Sequence, residues 1–189
     1  MSKLRALLFD LDGTLIDSAK ANYQAYSSAL REFGVAIEPD EVERIAAGRQ
    51  WRDFLPALLR RGGVELDPAA VARRKGELYR ESLSEVRTNT GLFSLAASVG
   101  PRIRTVLVTT ASAESVRAIL QRLDVSELFD HVITGDEVTR HKPDPEAYHL
   151  ALARLQLGPR ECLAFEDSDV GVASAEAAGI AVVRVRFST

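Results

Sequence analysis

A repeating rhythm restricts this chain more than any other feature. Short aliphatic runs, each broken by a polar residue or glycine, recur with helical patterns between them. Leu4–Phe9, Thr105–Thr109, Val132–Thr134, Leu163–Phe165 and Ala181–Val183 are such runs. Apolar stretches this short, without strict alternation, suit strands covered on both faces. Between them, Ser112 stands where it can cap a helix carrying Val116, Ile119, Leu120 and Leu123. Asp144 with Pro145 reads as an N-cap and first-turn pair ahead of Tyr148, Ala151, Leu152 and Leu155. Ser168 opens a small-residue helix that Gly179 closes. Strand and helix in alternation predict an α/β fold, a Rossmann-like parallel sheet with helices on both faces.

The rhythm lapses after the first strand. Tyr23, Tyr26, Leu30 and Phe33 share one helical face that Gly34 ends, and Trp51, Phe54, Leu55, Leu58 and Leu59 share another before Gly62-Gly63. Asp67-Pro68 starts a third helix through Val71, Leu78, Tyr79 and Leu83. The expected organisation is therefore a core of residues 1–16 and 87–189 with an all-helical block, 17–86, inserted into it. The connections Leu15–Ser18 and Arg87–Thr90 are the expected hinges.

A chain of 189 residues should bury roughly 70% of its unfolded surface, so it needs no metal or disulfide to fold. Its 46% hydrophobic and 27% charged residues exclude a disordered or fibrous polymer. A net charge of −3 gives no reason to expect nucleic acid or an anionic membrane as partner. The apolar run Ala6–Phe9 stops at Asp10, too soon for a signal peptide, and nothing approaches a membrane span. One cysteine, Cys162, forms no internal bridge, so the cytoplasm is the expected compartment. Monomer and homodimer both remain open.

In a parallel α/β sheet, the loops at the carboxyl ends of the strands gather along one edge, where ligands bind. Those loops here carry Asp10 and Asp12, then Thr109, Thr110 and Ser112, then His141-Lys142-Pro143, then Glu166, Asp167, Ser168 and Asp169. So many carboxylates around one lysine call for a cation and an anion to neutralise them. Oxygen donors alone favour a hard cation, Mg²⁺ with a phosphate being the usual pairing. Asp10 and Asp12 suit a division of labour in which one attacks phosphorus and the other shuttles a proton. Lys142 and the Thr110 hydroxyl suit the charge that builds on phosphate oxygens during transfer.

Phe9-Asp10-Leu11-Asp12-Gly13-Thr14 resembles the first motif of the haloacid dehalogenase superfamily. Thr110 with Ser112 is similar to its second motif, Lys142-Pro143 to its third and Phe165-Glu166-Asp167-Ser168 to its fourth. The order is the family's, and the helical block sits where one subfamily, including phosphoglycolate phosphatases and β-phosphoglucomutases, carries a helical cap. The resemblance implies that Asp10 is nucleophile and metal ligand. It makes Asp12 the general acid and base, and a ligand through its carbonyl. It gives Thr110 and the amide of Ala111 to the transferring phosphoryl group, Lys142 to a bridge between phosphate and nucleophile, and Glu166 with Asp167 to the Mg²⁺ site. Gly48-Arg49-Gln50-Trp51-Arg52 resembles the cap loop that selects substrate, with Arg49 and Arg52 as candidates for a second anionic group. The implied activity is Mg²⁺-dependent hydrolysis of a small phosphorylated metabolite through an aspartyl-phosphate. A phosphomutase and a catalytically idle binding module on the same fold are the alternatives.

Each residue also has a plainer reading. Asp10 and Asp12 suit a turn, Glu166 and Asp167 a solvated helix start, and Lys142 an exposed loop. Arg49 and Arg52 can pair with Glu43 or Asp53, Trp51 fits the apolar stripe, and Thr109 competes with Thr110 for the phosphate-facing register. His141 reads as a surface group or a support for its neighbours, and Cys162 as structural. Arg184–Phe187 alternate, which predicts an exposed edge strand.

Overall fold

The computed structural model describes residues 3–46, 51–83 and 86–187. In chain order these form β1 (Ala6–Phe9), β2 (Ile16–Asp17), α1 (Ala19–Glu32), α2 (Pro39–Ala46), α3 (Trp51–Arg61), α4 (Pro68–Glu81), β3 (Arg87–Thr88), α5 (Thr90–Ser98), β4 (Arg104–Val108), α6 (Ala113–Arg122), β5 (His131–Ile133), α7 (Glu146–Leu155), β6 (Cys162–Glu166), α8 (Asp169–Ala177) and β7 (Ala181–Arg184). They divide into two compact units, Met1–Asp17 with Arg87–Thr189, and Ser18–Val86.

The first unit is built on a parallel sheet in the order β5-β4-β1-β6-β7, the α/β arrangement that the strand–helix rhythm predicts. β1 lies at its centre, with Leu8 opposite Val106 on one side and Ala164 on the other. This explains why the run Ala6–Phe9 is aliphatic without alternation: both of its faces are covered and all four residues are buried. One face packs Ala6, Leu8, Val106, Val108 and Ile133 under Tyr148 and Ala151 of α7 and Ala175 of α8. A side chain such as Leu8, fully withdrawn from water, contributes about 1.5–3 kcal/mol. Phe9 itself stacks on Phe165 at 4.9 Å and meets Phe129 edge-on at 6.2 Å.

Local chemistry sets the helix starts. Ser112 Oγ accepts the Ser115 N–H at 3.3 Å, and Ser168 Oγ accepts the Gly171 N–H at 3.1 Å. Asp144 behaves differently from expectation. α7 begins at Glu146, one residue later, with Pro145 at the cap position, and the Asp144 carboxylate accepts the Glu146 N–H at 3.0 Å from outside the helix. The bond passes over Pro145, which has no N–H, just as the Asp67 bond to Ala69 passes over Pro68.

Two elements carry no periodic signal in the sequence. β2 and β3 pair antiparallel, Ile16 with Thr88 and Asp17 with Arg87, and the Arg87 guanidinium holds the Asp17 carboxylate. α5 starts at Thr90-Gly91, both weak helix formers, because the Asn89 side chain accepts the Leu92 N–H at 3.2 Å. The alternating run Arg184–Phe187 is not an edge strand. β7, the edge, spans Ala181–Arg184 and its last bond is Val185 N–H to the Glu166 carbonyl, at 2.8 Å. Among the described residues no strand pairs with the outer side of β7, and Val183 in it is 41% exposed.

The second unit contains α1 to α4. Tyr26, Leu30, Phe54, Leu55, Leu59 and Val71 make its core, with Tyr26 edge-on to Phe54 at 5.3 Å. Trp51 packs partly buried against that core, and the Arg52 guanidinium lies 4.3 Å from its ring centroid. α4 starts as expected, with Asp67 accepting the Ala69 N–H at 2.9 Å and Pro68 in the first turn. Among the described residues, no helix is long and apolar enough to cross a membrane.

Candidate active site

Because β1, β4 and β6 run parallel, their carboxyl ends meet on one edge of the sheet. Asp10 follows β1 directly, its N–H donating to the Phe165 carbonyl at 3.0 Å, and Glu166 is the last residue of β6. Lys142 enters from the segment beyond β5. Its Nζ donates to Asp10 Oδ1 at 2.7 Å, to Glu166 Oε1 at 2.6 Å and to the Val108 carbonyl at 2.9 Å. An ammonium has three protons, so these partners use all of them. Lys142, Asp10 and Glu166 are 8%, 7% and 1% exposed, which excludes the solvated-loop reading for each.

Asp167 reaches the same cluster through a close approach to the β1 loop. The Gly13 and Ile16 amides donate to the Ile16 and Leu11 carbonyls at 2.7 and 3.0 Å, folding the loop back on itself. Gly13 sits at φ +89°, and a Cβ there would lie 2.1 Å from Asp167 Oδ2. The turn and the carboxylate therefore both require glycine. Thr14 Oγ1 lies 3.5 Å from Asp167 Oδ1, at the limit of a hydrogen bond. Asp12, in the same loop, is half-buried, and its charge acts on both Asp10 and Asp167.

The electrostatics show more negative charge than the cluster's own cation can balance. Burial raises the Asp10 carboxyl well above the usual range, and Glu166 adds to this while Lys142 opposes it. Burial, and then Glu166, raise Asp167 as well. Lys142 loses hydration, yet Asp10 and Glu166 still hold its ammonium above the ordinary lysine value. Among the described residues, Asp10, Glu166 and Asp167 form a group of possible metal ligands, one oxygen from each lying within 4.8 Å of the others. Glu166 Oε2 is buried with no hydrogen-bond partner. An all-oxygen set with excess charge and an orphaned carboxylate oxygen fits a hard divalent cation.

The phosphate side of the site is only partly as expected. Thr109 is buried, and its hydroxyl accepts the Ala111 N–H at 3.1 Å, while Thr110 is exposed. The Ala111 amide is thus engaged within the chain rather than turned over to a ligand. Ser112 spends its hydroxyl on the α6 cap. Arg49 lies outside the described residues, and Arg52 belongs to the helical unit, stacked on Trp51. His141 is half-buried with its Nδ1 unpartnered.

Tyr148 is the residue that sequence reasoning missed. Its place in an apolar helical stripe assigned it to the core, and the ring is there, but the hydroxyl donates to Glu166 Oε1. The only available signal was the choice of tyrosine at a fully buried position, since a buried phenol needs a partner.

This edge gathers Asp10, Glu166 and Asp167 with the Lys142 ammonium at the ends of parallel strands. A family model described as haloacid dehalogenase-like hydrolase matches residues 7–185. The chain belongs to that family, and it is a phosphatase. It is 32% identical over 182 residues to the fructose-1-phosphate phosphatase YqaB of Escherichia coli, covering 96% of each chain. It is 34% identical to a phosphorylated carbohydrates phosphatase of Thermotoga maritima, covering 94% of this chain and 82% of the relative. Its fold matches crystalline CbbY from Rhodobacter sphaeroides in complex with phosphate, with TM-score 0.88 and 28% identity over 98% of this chain and 87% of that one.

Proposed function

We propose that this protein is a Mg²⁺-dependent phosphatase that hydrolyses a small sugar phosphate through a phosphoryl-aspartate on Asp10. The observation that carries the reading is the Lys142 ammonium held between Asp10 Oδ1 and Glu166 Oε1. It fixes the Asp10 carboxylate by one oxygen and leaves Oδ2 for attack. The relatives' printed names, fructose-1-phosphate phosphatase and phosphorylated carbohydrates phosphatase, support the substrate class.

In this reading Asp10 Oδ2 attacks phosphorus while the bond from phosphorus to the substrate oxygen breaks. Asp12 gives its proton to that oxygen, releasing the dephosphorylated sugar. Asp12, now ionised, takes a proton from water, whose oxygen attacks the phosphoryl group. The Asp10–phosphorus bond then breaks and inorganic phosphate leaves. Asp10, the Asp12 carbonyl, Glu166 and Asp167 would hold Mg²⁺, which when bound neutralises charge on the phosphate oxygens. Thr110 offers its hydroxyl to the phosphoryl group from the rim of the site. Lys142 supplies positive charge beside the reacting carboxylate. A direct bond from it to phosphate requires giving up one of its three present acceptors, and so does use of the Ala111 amide, which must leave Thr109.

We assign catalysis to the α/β unit and substrate choice to the helical unit, where Arg52 and Arg49 are the recognition candidates. The lone cysteine, buried as Cys162, fits a reducing cytoplasm. The test is phosphate release from p-nitrophenyl phosphate and a panel of sugar phosphates, in Mg²⁺ and in EDTA. Mg²⁺-dependent release, strongest on a sugar phosphate, supports the reading. Isomerisation of the sugar without release would make the protein a mutase, and inertness toward every member would leave only a binding role.

A further inference from the structure

Glu166 is held more tightly than a metal ligand on a strand end needs to be. Its Oε1 accepts from two donors at once, the Lys142 ammonium and the Tyr148 hydroxyl. Its Oε2 occupies the notch left by Gly171 in the first turn of α8, where a Cβ would lie 2.0 Å away. Tyr148 is wholly buried, its ring among the apolar residues beneath the sheet and 5.4 Å from the Lys142 ammonium. So one carboxylate oxygen is saturated by donors and the other, Oε2, has none. A carboxylate free to rotate would exchange the two.

We propose that Tyr148 is a positioning residue for the metal site: its hydroxyl fixes which Glu166 oxygen stays available to the cation. This rests on reading Asp10, Glu166 and Asp167 as a Mg²⁺ site. Partners that orient ligating carboxylates typically carry about 10- to 100-fold in metal affinity. Removing the hydroxyl as Tyr148→Phe keeps the ring and its packing, and Lys142 still neutralises Glu166, so the core is retained. A phenol whose hydroxyl served only the core would, when lost, lower stability without altering cation affinity.

Calorimetric titration of Mg²⁺ into metal-free protein separates these cases, using wild type, Tyr148→Phe and Asp167→Asn, each with its urea midpoint. Tyr148→Phe should bind Mg²⁺ roughly tenfold more weakly while unfolding cooperatively, and excess Mg²⁺ should recover turnover with the substrate KM little changed. Binding within twofold of wild type would overturn the proposal, whatever happens to the urea midpoint. In wild type alone, Mg²⁺ should perturb the near-UV absorption of tyrosine, a readout that needs no variant, and silence there would equally count against it. Should wild type bind no Mg²⁺ while Asp167→Asn behaves identically, the metal-site reading itself falls and takes this proposal with it.

Discussion

Lys142 and Glu166 form an ion pair of 2.6 Å in which the side chains are only 4% and 1% exposed. With Asp10 on the same ammonium at 2.7 Å, this pair is a buried triad whose removal is asymmetric. Burying such charges brings little net stability, but deleting one member strands the others. Lys142→Met should therefore destabilise the metal-free protein by about 3–5 kcal/mol, read from urea unfolding. A loss below about 1 kcal/mol would show that the two carboxylates are protonated or hydrated without their lysine.

Gly13 should tolerate no side chain. Gly13→Ala places an L-residue at φ +89° and sets a methyl where Asp167 Oδ2 stands. The backbone strain alone costs about 1–2 kcal/mol, and displacement of Asp167 should abolish Mg²⁺ binding in a variant that still folds. Wild-type Mg²⁺ affinity in that variant would mean Asp167 is not a ligand.

Cys162 should be chemically silent in the native state. Burial pushes its thiol up to about 11, and nearby Glu161 adds to the effect. An aromatic disulfide reagent at neutral pH should modify it only at the rate of unfolding. Rapid stoichiometric reaction without denaturant would contradict its place at the start of β6.

Much of this was legible before the structure. The sheet was readable because β1, β4 and β6 are largely buried and mostly apolar, and Asp10, Glu166 and Asp167 stand where β1 and β6 end, while Lys142 lies in the segment beyond β5. What was not legible depends on contacts between distant segments. β2 and β3 are two residues each, too short for any period, and exist because Asp17 meets Arg87. Tyr148 reads as core in a helical stripe because periodicity reports the ring and not the hydroxyl. The Ala111 amide was expected to face a ligand because sequence order cannot show that Thr109 Oγ1 reaches it first.

The loop before α7 should be acid-labile through Glu146. The Thr139 amide at 2.9 Å, with the Arg140 side chain at 3.1 Å, lowers its carboxyl from the ordinary 4.5 to about 2. A depressed folded value means the stabilisation is complete above about pH 4.5 and drains away as pH falls toward 2. Glu146→Gln should lower the urea midpoint at neutral pH and flatten its dependence on pH across that window. An unchanged pH profile would mean the bonds persist with a neutral carboxyl.

The account depends most on Asp10 carrying the phosphoryl group. Rapid acid quench of enzyme turning over a sugar phosphate, followed by peptide mass spectrometry, reads this directly. The account predicts one phosphoryl group on the peptide containing Asp10, formed only with Mg²⁺ and absent from Asp10→Asn, which should also release no phosphate. Full turnover by Asp10→Asn, or a phosphoryl group trapped on another residue, would contradict it.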